Sequence, residues 1–379
     1  MRILLVGEYS RLHNSLKEGL IALGHEVILM GTHDGFKNYP VDIYINHSFT
    51  NKLGHKLKVG VFKLTGIDLG SLEITYKVKN KIKKLPAFDV VQLINEASFS
   101  IQPKAELNLL KFLQTKGKKL VVLSCSYDYS SVKFMLNHGF KYSAMTPYLK
   151  DQSLLKHYKF KLQYLEKDFV VLHDYIIAHT NGIIATDLDY HLPLVGKSNY
   201  LGLIPNPINT DKIDYIPMTI DGKIKIFHGI NSYAALTKGN VFFSQALKII
   251  AEKYGDRVAI ITTIDMPYVD YIQQYNQCHI VLDMVYAYDQ GYNALEAMAK
   301  GKVVFTGAEQ EWLTYYKIAE NTVAINALPN VHNIVDKLSE LIEHPEKISA
   351  MSVAARAFVE REHHYKIIAQ WYLDIWHSN

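Results

Sequence analysis

Short apolar runs that stop at glycine alternate along this chain with stretches whose apolar residues recur every three or four positions. The first run, Arg2 to Val6, ends at Gly7; a helical pattern follows from about Leu12 to Leu23, Gly24 stops it, and Glu26 to Met30 reads as the next strand. The same order returns later. Lys223 to Phe227 leads into His228-Gly229, a loop runs to Gly239, a helix is predicted over about Asn240 to Tyr254, and Gly255 precedes a strand at Val258 to Thr262. Strand, glycine loop, helix, glycine and strand open a parallel, doubly wound sheet. Phe88 to Ile94, Lys119 to Leu123 and Gly182 to Thr186 add strands to the first half. The expected fold class is α/β, with two Rossmann-like, doubly wound parallel-sheet domains facing across a cleft.

The boundary falls in Leu203-Ile204-Pro205-Asn206-Pro207-Ile208, where two prolines flanking an asparagine can sustain neither a helix nor a central strand. A first domain is therefore expected over residues 1–205 and a second over 206–362. Helical patterns cover Asn330 to His344, about Ile348 to Glu362, and His364 to Trp376. In the last of these Tyr365, Ile368, Trp371, Tyr372 and Ile375 form an apolar stripe that needs burial. Residues 363–379 are expected to be a C-terminal helix packing back on the first domain.

At 379 residues the chain exceeds one ordinary core, which also favours two domains. A hydrophobic fraction of 49% with 21% charged residues describes a folded globular protein. Cys125 and Cys278 form neither a disulfide framework nor a metal-type pair, so a cytoplasmic setting is expected. The apolar run Ile3 to Val6 is too short for a signal peptide, and no stretch approaches the ~18 apolar residues of a membrane span. Net charge is +4, yet nine lysines stand against Asp68 and Glu73 between Lys52 and Lys84. Ile74, Val78, Ile82 and Leu85 recur at helical spacing there, with Lys77 to Lys84 on the remaining faces. A basic amphipathic helix of that kind either packs on a core with a solvated lysine face or lies on an anionic leaflet. Peripheral membrane contact at the inner face is thus an expectation. Nucleic acid is not an expected partner, because few aromatics accompany the lysines and overall charge is near neutral. Neither glycine loop has the GxGxxG spacing of a dinucleotide fold.

Candidate chemistry concentrates in Asp283 to Gly307, DMVYAYDQGYNALEAMAKGKVVFTG. Gly291-Tyr292-Asn293 opens a turn into a helix with strong helix formers, Gly301 stops it, and Val303 to Phe305 returns as a strand. A glycine-rich helix entry offers backbone N–H groups and a positive dipole end to a pyrophosphate. Glu296, about one turn in, can accept from the two hydroxyls of a ribose. The segment Gly291 to Val304 resembles the donor-binding signature of the retaining, nucleotide-sugar-dependent GT-B glycosyltransferases of family four. The Glu-Ala-Met-Ala-x-Gly match at Glu296 to Gly301 carries most of that likeness. The Ile204-Pro205-Asn206-Pro207 connector, Lys238-Gly239 and the terminal helices support it.

The resemblance implies a hexosyltransferase that moves a sugar, with retention, from a nucleotide-sugar to a glycan or lipid-linked acceptor in cell-surface polysaccharide synthesis. It implies no cofactor and no metal. Glu296 would hold the ribose, with the backbone N–H groups around Gly291, Tyr292, Asn293 and Ala294 facing the diphosphate and sugar. Lys238 would supply positive charge, and Gly229, Asn231, Thr263, Tyr268 and Pro267 would line the remaining donor side. Asp289 is the candidate catalytic acid, because Tyr288 stands where the family has its first glutamate. The family's arginine after Gly229 is replaced by Ile230-Asn231-Ser232. Glu8, Ser10, Asn95, Glu96 and Asp128, after strands of the first half, are acceptor-side candidates. Asp187-Leu188-Asp189 has the form of a metal-binding pair in the other major glycosyltransferase fold, against which the two glycine-loop halves argue. Alternatives are a non-catalytic nucleotide-binding GT-B protein and a nucleotide-sugar epimerase.

Overall fold

The computed structural model describes residues 1–32, 39–220 and 222–379, without the side chains of residues 268 and 269. Seven parallel strands form the first sheet: β1 (Arg2–Val6), β2 (Glu26–Gly31), β3 (Ile43–Tyr44), β4 (Phe88–Leu93), β5 (Gly117–Ser124), β6 (Gly182–Ala185) and β7 (Tyr200–Leu203), in the order β3-β2-β1-β4-β5-β6-β7. Five more form the second: β8 (Ile224–Ile230), β9 (Val258–Ile264), β10 (Ile280–Leu282), β11 (Val303–Thr306) and β12 (Ile325–Asn326), in the order β12-β11-β10-β8-β9. Both are α/β doubly wound sheets. Their strand order reverses at β1/β4 and at β8/β10, and crevices for ligands open at such reversals.

Apolar strand residues are buried on both faces of each sheet. Leu4, Val6 and Val91 pack to one side of the first, and Ile3, Leu5 and Val90 to the other. The terminal helix Tyr365–Ser378 completes the second of these layers with Ile368, Tyr372, Leu373 and Trp376. It lies on the helix Leu12–Ala22 at a distance that only glycine permits. A Cβ on Gly19 would sit 2.4 Å from the Tyr365 carbonyl oxygen. The proline connector is pinned to the same segment, since Ile208 N donates to His363 O at 2.7 Å and Tyr365 N to Ile208 O at 3.1 Å.

Residues 135–158 leave the first sheet and join the second domain's apolar cluster. Met135, Phe140, Tyr142, Met145 and Tyr158 are buried there with Tyr286 and Tyr288. Tyr288, whose position the resemblance reserves for a glutamate, packs its ring edge-on to Phe140 at 4.8 Å, and its hydroxyl accepts from Lys141 N at 2.7 Å. Glu309 accepts from Lys141 Nζ at 3.0 Å and from the Tyr142 hydroxyl. The two domains thus meet through a buried, hydrogen-bonded contact as well as through the connector. The lysine-bearing helix Leu69–Lys83 turns Ile74, Val78 and Ile82 into the first core, so its apolar face is already occupied.

Candidate active site

The carboxyl ends of β8 and β10 form the floor of a cavity of about 800 Å³ that opens between the domains. β8 ends in Gly229-Ile230, and the turn that follows brings Lys238 to the wall. Glycine is required at 229, since a Cβ there would come 2.5 Å from the Tyr271 ring, itself a wall residue. On the opposite side the helix Tyr292–Ala299 begins at the cavity, with Gly291, Tyr292, Asn293 and Glu296 all lining it. Gly301 ends that helix in the left-handed region, φ 80°, and its N–H donates to Met298 O at 2.9 Å.

Lys238 does not stand alone. Its Nζ lies 2.9 Å from Oδ1 of Asp283, the residue after β10, which is 2% exposed. Asn293 Nδ2 donates to the same oxygen at 3.0 Å, and Thr306 Oγ1 to the other at 3.4 Å. The lysine side chain is 30% exposed, so its head is anchored from behind by a buried carboxylate and still reachable from the cavity. Glu296 lies 3.7 Å from Lys300 one turn on, a loose pairing that leaves it available to hydroxyls. Thr263 is buried, and its Oγ1 has no partner among the described residues. A polar atom in that state on a cavity wall is suited to a ligand. Among the described lining residues Lys238 is the single cation, against Asp265, Asp283 and Glu296. Positive potential therefore depends on Lys238 and on the amides of the helix start.

The cavity gathers Lys238, Glu296, Gly291, Tyr292, Asn293, Gly229, Asn231, Thr263 and Pro267 from the donor side, and Ser10 from the first domain. Tyr292 also bridges the domains: its hydroxyl meets Ser15 Oγ at 2.6 Å and donates to Pro207 O. The Tyr268 side chain is outside the described residues.

Six candidates are corrected. Asp289 sits behind the wall, 3% exposed, where its carboxylate accepts from Leu188 N at 2.9 Å and Gln290 N at 2.6 Å. It does not line the cavity. Ala294 is fully buried, and its N–H is spent on Gly291 O at 3.0 Å. Glu8 is buried, accepting from the backbone and side chain of Asn14. Glu96 is paired with His173 inside the first domain, and Asn95 beside it is 1% exposed. Asp128 caps the helix Tyr129–Leu136 through Ser131 N at 2.7 Å. Local capping and burial consume these groups where the sequence shows only polar residues after strands. Asp187 and Asp189 do not line the cavity either; Asp189 accepts from the amides of Tyr288 and Asp289, at 3.1 Å each for Oδ2. Among the described residues no group of three or more His, Cys, Asp or Glu stands in an arrangement that could hold a metal ion.

Sequence reading missed Asp283, Asp265, Met284 and the tyrosines of the Tyr268–Gln277 helix, Tyr271 and Tyr275. The signal for Asp283 was its place directly after an apolar triplet, Ile280 to Leu282, which is the strand β10.

Residues 238–374, which include both Lys238 and Glu296, match a family model described as glycosyl transferase-like. No curated protein matches the chain significantly. Solved structures match over the whole length. Sucrose-phosphate synthase from Thermosynechococcus elongatus aligns with a TM-score of 0.62 at 13% identity, covering 100% of both chains. The Anabaena protein HepE in complex with UDP and glucose gives 0.60 at 14%, and UDP-GlcNAc 2-epimerase from Neisseria meningitidis bound to UDP-GlcNAc gives 0.51 at 11%, again over 100% of both chains. The likeness is one of fold, and the fold is GT-B: two parallel-sheet α/β domains with a cavity between them.

Proposed function

We propose that the protein is a glycosyltransferase that takes a sugar from a nucleotide-sugar and passes it, with retention, to a glycan or lipid-linked acceptor entering from the side of Ser10. The observation that carries this reading is the placement of Lys238 and Glu296 on one cavity, on either side of a helix start. A diphosphate fits between Lys238 and the amides at Gly291 to Asn293. The ribose diol then falls to Glu296, and the base toward Thr263, Pro267 and Tyr271. As the bond from the anomeric carbon to phosphate oxygen breaks, negative charge gathers on the leaving phosphate, where Lys238 and the helix dipole stabilise it. Asp265 is engaged by Ser232 and Asp283 by Lys238, so the walls contribute positioning and charge stabilisation more than proton transfer. HepE and the epimerase are named with uridine nucleotides, which makes UDP the first ligand to test.

Calorimetric titration with UDP, GDP and ADP, with and without EDTA, is the direct test. Wild-type protein should bind one of them in the micromolar range regardless of EDTA. Glu296→Ala should weaken that binding by about 1–3 kcal/mol, roughly 5- to 150-fold, through the lost diol contact. Unchanged affinity in a folded Glu296→Ala protein would remove Glu296 from the site.

A second reading, nucleotide binding without turnover, is favoured by the single cation that faces three carboxylates among the described lining residues. It predicts binding but neither transfer nor donor hydrolysis with any acceptor.

A further inference from the structure

The helix Lys52–Thr65 buries none of its fourteen residues. Helical stability in a folded protein comes mostly from packing an apolar face; here Gly54 and residues 58 to 61 are half-buried, while the leucines face outward without a partner among the described residues. Leu53, Leu57 and Leu64 are 78%, 56% and 88% exposed. At about 100° per residue they fall within roughly 40° of one another and form a single outward stripe. Lys56 and Lys63 flank that stripe on one side and Lys58 on the other. No acidic residue occurs from Lys52 to Thr65, and among the described residues none of these lysines has an ion pair within 4.0 Å. The following helix differs: its apolar face is in the core, Lys77 pairs with Glu73, and Lys79 donates to Asn108 Oδ1.

We propose that the helix Lys52–Thr65 docks in the plane of an anionic lipid surface, with Leu53, Leu57 and Leu64 in the hydrocarbon boundary and Lys56, Lys58 and Lys63 among the headgroups. Charge decides between occupants. A second copy packed on this stripe would bring the same uncompensated lysines face to face. An anionic leaflet supplies both the apolar depth and the counter-charge. The helix starts just beyond β3, at the carboxyl edge of the first sheet, the same edge from which Ser10 reaches the cavity. Docking therefore sets the first-domain rim of the cleft near the lipid. That this rim receives a lipid-linked acceptor rests on the proposed transferase reading; the docking itself does not.

The test is sedimentation of the full chain with vesicles of phosphatidylcholine alone and of phosphatidylcholine with about one third phosphatidylglycerol. Wild-type protein should partition to the anionic vesicles at least tenfold more strongly than to the neutral ones, and raised salt should release it. Leu53→Ser/Leu57→Ser/Leu64→Ser should lose at least tenfold of that partition, and Lys56→Gln/Lys58→Gln/Lys63→Gln should erase the preference for anionic lipid. All six positions lie outside the core, so thermal unfolding of each variant serves as the folding control and keeps this test independent of the donor site. Equal partition to both vesicle types, none to either, or an unchanged triple serine variant overturns the proposal. So does a wild-type dimer that the serine variant dissolves without any vesicle binding, which would assign the stripe to a second copy.

Discussion

Lys238→Ala protein is expected to transfer sugar at least about a hundred-fold more slowly, since losing one preorganised donor to a developing oxyanion typically costs a factor of about 10²–10³. It should also be less stable, for an independent reason. Asp283 is 2% exposed and would lose its only ion-pair partner among the described residues, leaving the carboxylate to Asn293 and Thr306. Stranding a buried charge costs about 3–5 kcal/mol, and the lower end applies because Lys238 is 30% exposed and water enters as the side chain leaves. Lys238→Ala/Asp283→Asn separates the two effects. The carboxamide oxygen still accepts from Asn293 and carries no charge, so thermal stability should return toward wild type while transfer stays slow. Calorimetric unfolding and a transfer assay on both proteins check this. Wild-type transfer by either variant would end the role given to Lys238, and a single variant as stable as wild type would end the role given to Asp283.

The pair also shows where sequence reasoning reaches its limit. The helix Asn240–Tyr254 was legible because its apolar spacing ends at Gly255, whose φ of 46° stops it. Glu296 was legible because the residues that place it are all within one helix of it. Asp283 was not: it follows a strand of three residues, and its partner lies forty-five positions earlier, so no local pattern joins them. The first-domain acids failed for the converse reason. Glu96 and Asp128 sit after strands where ligands gather, but His173, seventy-seven residues on, takes the first, and the capping box of the next helix takes the second. The short strands β3 and β12, two residues each, carry too little alternation to be recognised. The lysine-rich window was recognised as amphipathic, but only packing tells which of its two helices keeps an apolar face exposed.

Asp189 and Asp289 are expected to make the contact between the domains sensitive to pH. Asp189 belongs to the first domain and accepts from the amides of Tyr288 and Asp289; Asp289 belongs to the second and accepts from the amide of Leu188. These reciprocal bonds favour the ionised forms, but burial outweighs them. It raises both groups to about 7, with the Asp289 charge adding to the shift of Asp189. Asp187, facing both, is raised further by burial and by its two neighbours, and the Tyr190, Tyr315 and Tyr316 hydroxyls are pushed up by burial and these same carboxylates. Unfolded aspartates titrate near 3.9, so between about pH 4 and 7 the native state binds more protons than the unfolded one. The contribution of these carboxylates to stability is therefore full below about pH 4 and is lost as pH rises through 7, by up to about 1.4 kcal/mol per pH unit for each group that titrates. The buried neutral histidines His13, His228 and His363, lowered to about 3, 4 and 4 by burial, act in the opposite direction up to about pH 6.5, so the wild-type profile alone mixes both signs. The difference from Asp189→Asn does not. The asparagine oxygen can still accept from Tyr288 and Asp289, and its amide faces the Asp289 carboxylate in place of a second negative charge. Relative to wild type, this variant should gain about 2–3 kcal/mol as pH is raised from 5 to 8, with Asp289→Asn behaving alike and the double variant gaining less than the sum because the two charges oppose each other. Unfolding measured by calorimetry at half-unit steps of pH tests it. Parallel wild-type and variant profiles across that range would mean that burial does not hold these two carboxyls protonated, and would end the role given to them.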